Sequence, residues 1–255
     1  MPALPAPERK LRRIDPVAAA GFGSAAEVYE RGRPSYPPEA VEWLFSRTNV
    51  GPGTVVDVAA GTGKLTRLLT GSGAHVVAVE PVAEMRALIE GVEAVDGVAE
   101  ELPFADGSVD VVTVAQAFHW FDHARALTEL HRVLRPGGWL ALFWNMRDLE
   151  NPLQRGVEDL LRPYRGDVVP QRQGTWRAPL AESELFGPEE SRFFRYEQQF
   201  TVRDLRDRVA STSFVAVLPS DERDELLVQV AALAAGLDEP FLFPYETEVQ
   251  LFPRR

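Results

Sequence analysis

The chain is 255 residues long, 45% hydrophobic and 25% charged, a globular balance that excludes a disordered or fibrous protein and leaves room for one large α/β domain. Its 38 acidic against 27 basic residues give a formal net charge of −11, which argues against broad binding of a phosphate backbone, so no nucleic-acid partner is expected. Cysteine is absent, and with it thiolate nucleophiles, disulfides and cysteine-held metals.

In chain order, residues 1–20 are proline-rich and basic and lack the continuous apolar stretch of a secretory signal. They read as a mobile tail, and residues 21–255 as one domain. No apolar run approaches the roughly 18 residues that span a bilayer, so a cytoplasmic protein with no membrane partner is expected. Thr54–Val58 (TVVDV) and His75–Val79 (HVVAV) are β-branched runs of strand length, and KLTRLLTG between them is helical in composition, which makes one βαβ unit. Pro81 stands where a first-turn helical residue loses no hydrogen bond, and the helix it opens should carry its stripe through Met85 and Leu88. VDVVTV (Val109–Val114) follows the turn ADGS and WLALFW (Trp139–Trp144) follows RPGG, so both read as buried strands. The helix between them opens at Asp122 and repeats Leu127, Leu130 and Leu134 at helical spacing. After Met146 the alternation stops, and the stretch to Ser191 carries Pro, Arg and aromatic residues without a strand pattern; residues 147–191 are expected to form a lid insertion. Order returns with Phe193–Val202, a helix from Ser220 through Leu237 with Leu226, Val230 and Leu233 on one face, and TEVQLF near the end.

The segment VVDVAAGTGKL runs from a buried strand through a glycine turn into a helix. Glycines let the backbone approach a ligand, and a helix N-terminus offers unpaired amides. A Walker A loop is excluded, because Val58 and Leu65 occupy the positions that require glycine and Ser or Thr. A dinucleotide fingerprint is disfavoured, since Thr66 stands where its last glycine belongs after Gly61 and Gly63. What remains, Asp57, Ala59, Gly61 and Gly63, resembles motif I of the class I methyltransferases that use S-adenosylmethionine (SAM), with alanine where the family usually has glycine at position 59. Glu80 ends the next strand about 20 residues on, where a carboxylate accepts from both ribose hydroxyls of a bound nucleoside; the alternative is that it merely favours the start of a helix.

The resemblance extends from FGSAAEVYERGRPSYP (Phe22–Pro37) through GVAEELPFADGSVDVVTVAQAFHWFD to ELHRVLRPGGWLALFWN, and is similar to the branch that includes trans-aconitate methyltransferase-like proteins. It implies a doubly wound, Rossmann-like α/β fold: a seven-stranded, mostly parallel sheet with an antiparallel final strand, plus the helical lid. It also implies that Ala99 and Glu100 border the adenine, that Gln116 and Ala117 lie near the methionine end of SAM, and that Met85 belongs to the cofactor set. Many relatives have Asp at position 98, where Val98 cannot accept from the adenine amino group. Residues 21–50 resemble the segment that covers SAM; Tyr29 and Arg33 join the cofactor residues, with Arg33 suited to pair with the cofactor carboxylate, or else exposed in a connecting loop.

The four histidines, His75, His119, His123 and His131, do not cluster like metal ligands, so no metal is expected. His131 shares a face with Leu127 and Leu134 and reads as packed, and His75 as incidental. His119 follows a strand at its carboxyl end, where open α/β sheets place their ligands, and is the candidate catalytic residue, contacting the acceptor rather than supplying most of the catalysis. Tyr36, Trp120, Trp144, Asn145 and Arg147 are the candidate acceptor-binding residues, although aromatics more often fill a core. Arg172 and Arg177, near Trp176, would suit a carboxylate acceptor or else line a solvated segment. Nitrogen-methylating members of this superfamily usually carry Asn-Pro-Pro where AQAFHW stands, so a small-molecule oxygen (a carboxylate included) or carbon acceptor is expected. A SAM-binding sensor or scaffold and a nicotinamide-dependent oxidoreductase are the alternatives.

Overall fold

A computed structural model describes residues 30–165 and 177–255. The β-branched runs become the centre of the sheet because both of its faces are covered. Strands β1 (Thr54–Val58), β2 (His75–Val79), β3 (Glu93–Val95), β4 (Val109–Ala115) and β5 (Leu134–Arg147) pair in parallel. Strand β7 (Phe241–Pro253) lies antiparallel to β5, and β6 (Glu190–Phe200) antiparallel to β7, giving the order β3-β2-β1-β4-β5-β7-β6. Val55, Val56, Val58, Val111, Val112 and Val114 are fully buried, as expected where helices pack on both sides of a parallel sheet.

Helices α1 (Pro38–Thr48) and α2 (Lys64–Leu69) cover one face, where Ala40, Val41, Leu44, Leu65 and Leu69 pack on Val55, Val111 and Phe143. The other face takes α4 (His123–Val133), whose Leu127 and Leu130 pack on Val112 and Leu140; Asp122 caps it by accepting from the Arg125 amide. A third core joins α5 (Pro152–Leu161), α7 (Val202–Ala210) and α9 (Ser220–Leu233) to β6 and β7 through Val157, Leu205, Val230, Phe200 and Tyr245. Short helices α3 (Ala83–Arg86), α6 (Arg177–Glu182) and α8 (Ser213–Ala216) complete the set. Among the described residues no helix is long and apolar enough to cross a membrane.

Several boundaries differ from the sequence expectations. RPGG does not precede the strand but lies inside β5, which opens at Leu134, outside the helix, with a register shift between Val109 and Val111; there a Cβ on Gly138 would stand 2.9 Å from two backbone carbonyl oxygens. The helix after Pro81 is one turn, with Met85 buried and Leu88 only half-buried. The helix from Ser220 ends at Leu233, which is 38% exposed, and β7 is far longer than TEVQLF. Within 147–191, α5 is rooted in the third core, and residues 166–176 lie outside the described residues. Within 21–50, α1 covers the sheet face.

Candidate active site

The chain leaves β1 toward β2 on one side and leaves β4 toward β5 on the other, although β1 and β4 are neighbours. Such a reversal opens a crevice at the carboxyl ends of the two strands. Ala59 and Gln116, the residues just beyond these ends, both hold positive φ, 56° and 57°. A side chain in that region is strained by about 1–2 kcal/mol, and such strain concentrates at ligand sites. Alanine at position 59 thus holds a positive φ of the kind glycine adopts freely.

The turn after β1 is built from buried acids. Gly61 and Gly63 take φ of 60° and 82°, bringing backbone into the crevice where a side chain would be strained. Glu80, 4% exposed at the end of β2, accepts from the Gly61 amide at 2.8 Å and from the Val82 amide at 2.9 Å. Burial pushes its carboxyl up to about 7, against the pull of those amides and of Arg86. Asp57 is fully buried and accepts from Thr66 Oγ1 at 2.6 Å and Thr113 Oγ1 at 2.8 Å; burial raises it to about 6. This amends the expectation of direct cofactor contact by Asp57: both its oxygens are used inside the protein, tying the start of α2 to β4. Thr66, read only as a departure from a dinucleotide fingerprint, is one of its two anchors. Thr113 could have been found as the single polar residue among the apolar positions 111–115.

Of the remaining cofactor candidates, Ala99 and Met85 are buried at 3%, and Ala117 is half-buried beside the main core. Glu100 accepts from the Asp122 amide at 2.9 Å, so its carboxylate ties two loops at the crevice rim. Gln116 Nε2 donates to the Asn145 carbonyl at 3.4 Å. Tyr29 lies outside the described residues.

Residues 30–36 run across the carboxyl ends of the strands. Glu30 pairs with Arg67 at 2.6 Å and Lys64 at 3.6 Å on α2, while Arg31 pairs with Asp207 at 3.0 Å and Arg33 Nη2 donates to the Ser211 carbonyl at 2.8 Å. A Cβ on Gly32 would lie 2.4 Å from the Asp207 carbonyl carbon, so only glycine lets this strap seat on α7. Asn145 Nδ2 donates to the Ser35 carbonyl at 2.8 Å, and its Oδ1 accepts from Thr247 Oγ1 at 2.5 Å. Tyr36 is buried edge-on against Phe143.

His119 lies within reach of the charge of Arg33 on this strap, its ring 4.6 Å from that of Trp120 and 5.7 Å from that of Trp144. Its Nδ1 is buried with no hydrogen-bond partner. Burial, with the nearby charges of Arg33 and His123, lowers its pKa to about 4, so the ring is neutral at physiological pH. Trp144 is 1% exposed and donates to Gln250 Oε1 at 3.2 Å; it backs His119 from the core instead of facing an opening. Arg147 is also turned inward, donating to Glu158 Oε2 at 2.5 Å. Arg177 pairs with Glu248 and Glu189, which removes it from the acceptor role; Arg172 and Trp176 lie outside the described residues. His131 bonds the Arg255 carbonyl at 3.0 Å, a structural role as expected. No cluster of metal-ligating side chains occurs among the described residues. The wall opposite the glycine turn thus includes Arg208, Tyr245 and Glu158, none of which carries a motif.

Residues 56–142 match the family model of a methyltransferase domain. An uncharacterized methyltransferase of Mycobacterium tuberculosis is 43% identical over 84% of this chain and 85% of its own length. One from Schizosaccharomyces pombe is 34% identical over 78% and 80%. A solved structure from Anaeromyxobacter dehalogenans described as a type II methyltransferase superposes with a TM-score of 0.63 at 25% identity, covering 86% of this chain and 97% of that one. The cofactor of this fold class is SAM, and the residues present fit it: the left-handed turn at Gly61 and Gly63 brings backbone to the crevice, and the Glu80 carboxylate ends β2 beside it. The chain belongs to the class I, SAM-dependent methyltransferase family.

Proposed function

We propose that the protein methylates an oxygen or carbon nucleophile of a small molecule held between the ends of β4 and β5 and the strap of residues 30–36. When bound, SAM supplies a methyl group already activated on a sulfonium, so the protein's contribution is chiefly to bind, orient and exclude water. In this reading Glu80 accepts the ribose hydroxyls, Gly61 and Gly63 let the backbone lie against the cofactor, and Met85, Ala99 and Glu100 border the adenine. Gln116 and Ala117 lie toward the methionine end, with Arg33 positioned by Ser211 above it. Trp120 and Tyr36 wall the acceptor, Asn145 holds the strap through Ser35, and Phe118 and Trp144 close the site from the core.

The observation that carries this reading is the unpartnered, buried Nδ1 of His119 across the switch point from the Glu80 carboxylate. An orphaned polar atom costs about 1–3 kcal/mol when buried, a cost that a hydrogen bond to the acceptor removes. A neutral imidazole with a lowered pKa is a weak base, so His119 orients the acceptor rather than removing its proton. Incubating the protein with methyl-labelled SAM and a metabolite extract tests the reading: a labelled small molecule supports it, whereas SAM binding with no labelled product favours a sensor or scaffold.

A further inference from the structure

Beyond Arg33, the strap arginine whose charge reaches His119, one guanidinium lacks a counter-charge. Arg147 and Arg165 share one carboxylate, Glu158. Arg208, on α7, donates from Nε to the Tyr245 hydroxyl at 3.2 Å, a neutral partner, while its Nη1 is buried with no hydrogen-bond partner. No carboxylate among the described residues pairs with it. Thr212 Oγ1, one turn further on, is likewise buried without a partner. Arg33 reaches into the same corner through the Ser211 carbonyl, and the fields of these groups extend to their neighbours: Arg33 depresses His119, and Arg208, after burial, helps lower Arg147 to about 10. Arg208 Nη1 and Thr212 Oγ1 are thus two donors cut off from solvent and aimed at no protein acceptor. A buried N–H without an acceptor is costly, and a guanidinium with free N–H groups presents a planar fork suited to anionic oxygens.

We propose that Arg208 anchors an anionic oxygen group, a carboxylate or a phosphate, on the methyl acceptor, with Thr212 as a second donor. This rests on the functional reading above. The anchored group is distinct from the atom that is methylated, because a guanidinium that grips an oxygen draws electron density from it and makes it a poorer nucleophile. Arg208 is therefore a specificity-determining residue, and the preferred acceptor carries both a nucleophile and a separate anion.

The test is titration of the full chain, saturated with S-adenosylhomocysteine (SAH), with benzoate, its neutral isostere benzamide, and inorganic phosphate. Benzoate or phosphate should bind saturably and benzamide at least about tenfold more weakly; the tighter anion identifies the chemistry of the anchored group. Arg208→Gln should weaken the anion by about 10- to 100-fold, the loss of charge-assisted hydrogen bonds, with Arg208→Lys intermediate because it keeps the charge without the fork. SAH affinity should change less than about twofold in either variant. Benzamide binding as well as benzoate, no anion binding at all, or anion affinity unchanged in Arg208→Gln would overturn the inference while leaving SAH binding intact. Failure of wild type to bind SAH would instead overturn the functional reading, and this inference with it.

Discussion

The two walls of the crevice are made in opposite ways. The wall at β1 and β2 is nearly all local: one strand, one glycine turn and the end of the next strand place Gly61, Gly63 and Glu80 within 20 residues of chain, and backbone amides bond the Glu80 carboxylate directly. The wall at β4, β5 and β7 is assembled from the strap, Gln116 to Trp120, Asn145 to Arg147, α7 and Tyr245, joined by long-range bonds such as Asn145 to Ser35 and Arg208 to Tyr245. A backbone site for a constant cofactor tolerates little variation, whereas a side-chain wall can change its ligand without disturbing the turn. The comparison predicts that substitutions at the first wall act on folding and cofactor affinity, and those at the second on acceptor choice.

The largest expected effect is on the first wall. Asp57→Ala removes a buried carboxylate and strands the hydroxyls of Thr66 and Thr113, so it should cost about 3 kcal/mol or more in chemical denaturation. Asp57→Asn, which keeps one acceptor, should cost less; a loss under about 1 kcal/mol for the alanine variant would show that the tie between α2 and β4 carries little. The same acid gives a pH signature. Its folded value of about 6, raised from 3.8, means that its stabilising contribution is complete below about pH 4 and is lost as pH rises through 6, and Asp57→Asn should remove that dependence.

His119→Ala, on the second wall, should lower turnover by less than about tenfold, mainly through acceptor KM. The pH-rate profile of wild type should show no limb near the unperturbed imidazole value of about 6.5, because the lowered pKa keeps the ring neutral there. A drop of about a thousandfold with loss of such a limb would make it a general base. The smallest effect is expected at Ala59. Glycine there relieves left-handed strain but frees the unfolded chain, so Ala59→Gly should change stability by no more than about 1 kcal/mol in either direction; a loss of several kcal/mol would mean that the alanine methyl packs more than the strain argument allows.

What could be read from the sequence follows the same division. Strands β1 and β2 match their residue runs because β-branched residues buried on both faces leave no other periodicity, and the glycine turn with Glu80 is legible because its chemistry lies in backbone and spacing. The three-residue β3 is too short to show a pattern, and β5 begins at Leu134 because pairing with Val109 overrides the turn signal of RPGG. Trp144, Asn145 and Arg147 lie at the carboxyl end of β5, but their side chains turn inward to Gln250, Thr247 and Glu158, partners over 100 residues away for the first two. Arg208 carries no signal at all: it is one arginine in a charged helix, and only the missing counter-charge singles it out.

The central claim, that the β1–β2 wall holds SAM through Glu80, is tested most directly by calorimetric titration of SAH into wild type and Glu80→Gln across pH 6 to 8. Ribose hydroxyls donate to an ionised carboxylate, and Glu80 titrates at about 7, so wild-type affinity should rise as pH passes through 7. Glu80→Gln should bind about 10- to 100-fold more weakly at pH 8, the loss of charged hydrogen bonds, and show no such rise. Equal affinity in the two proteins at pH 8 would contradict the account.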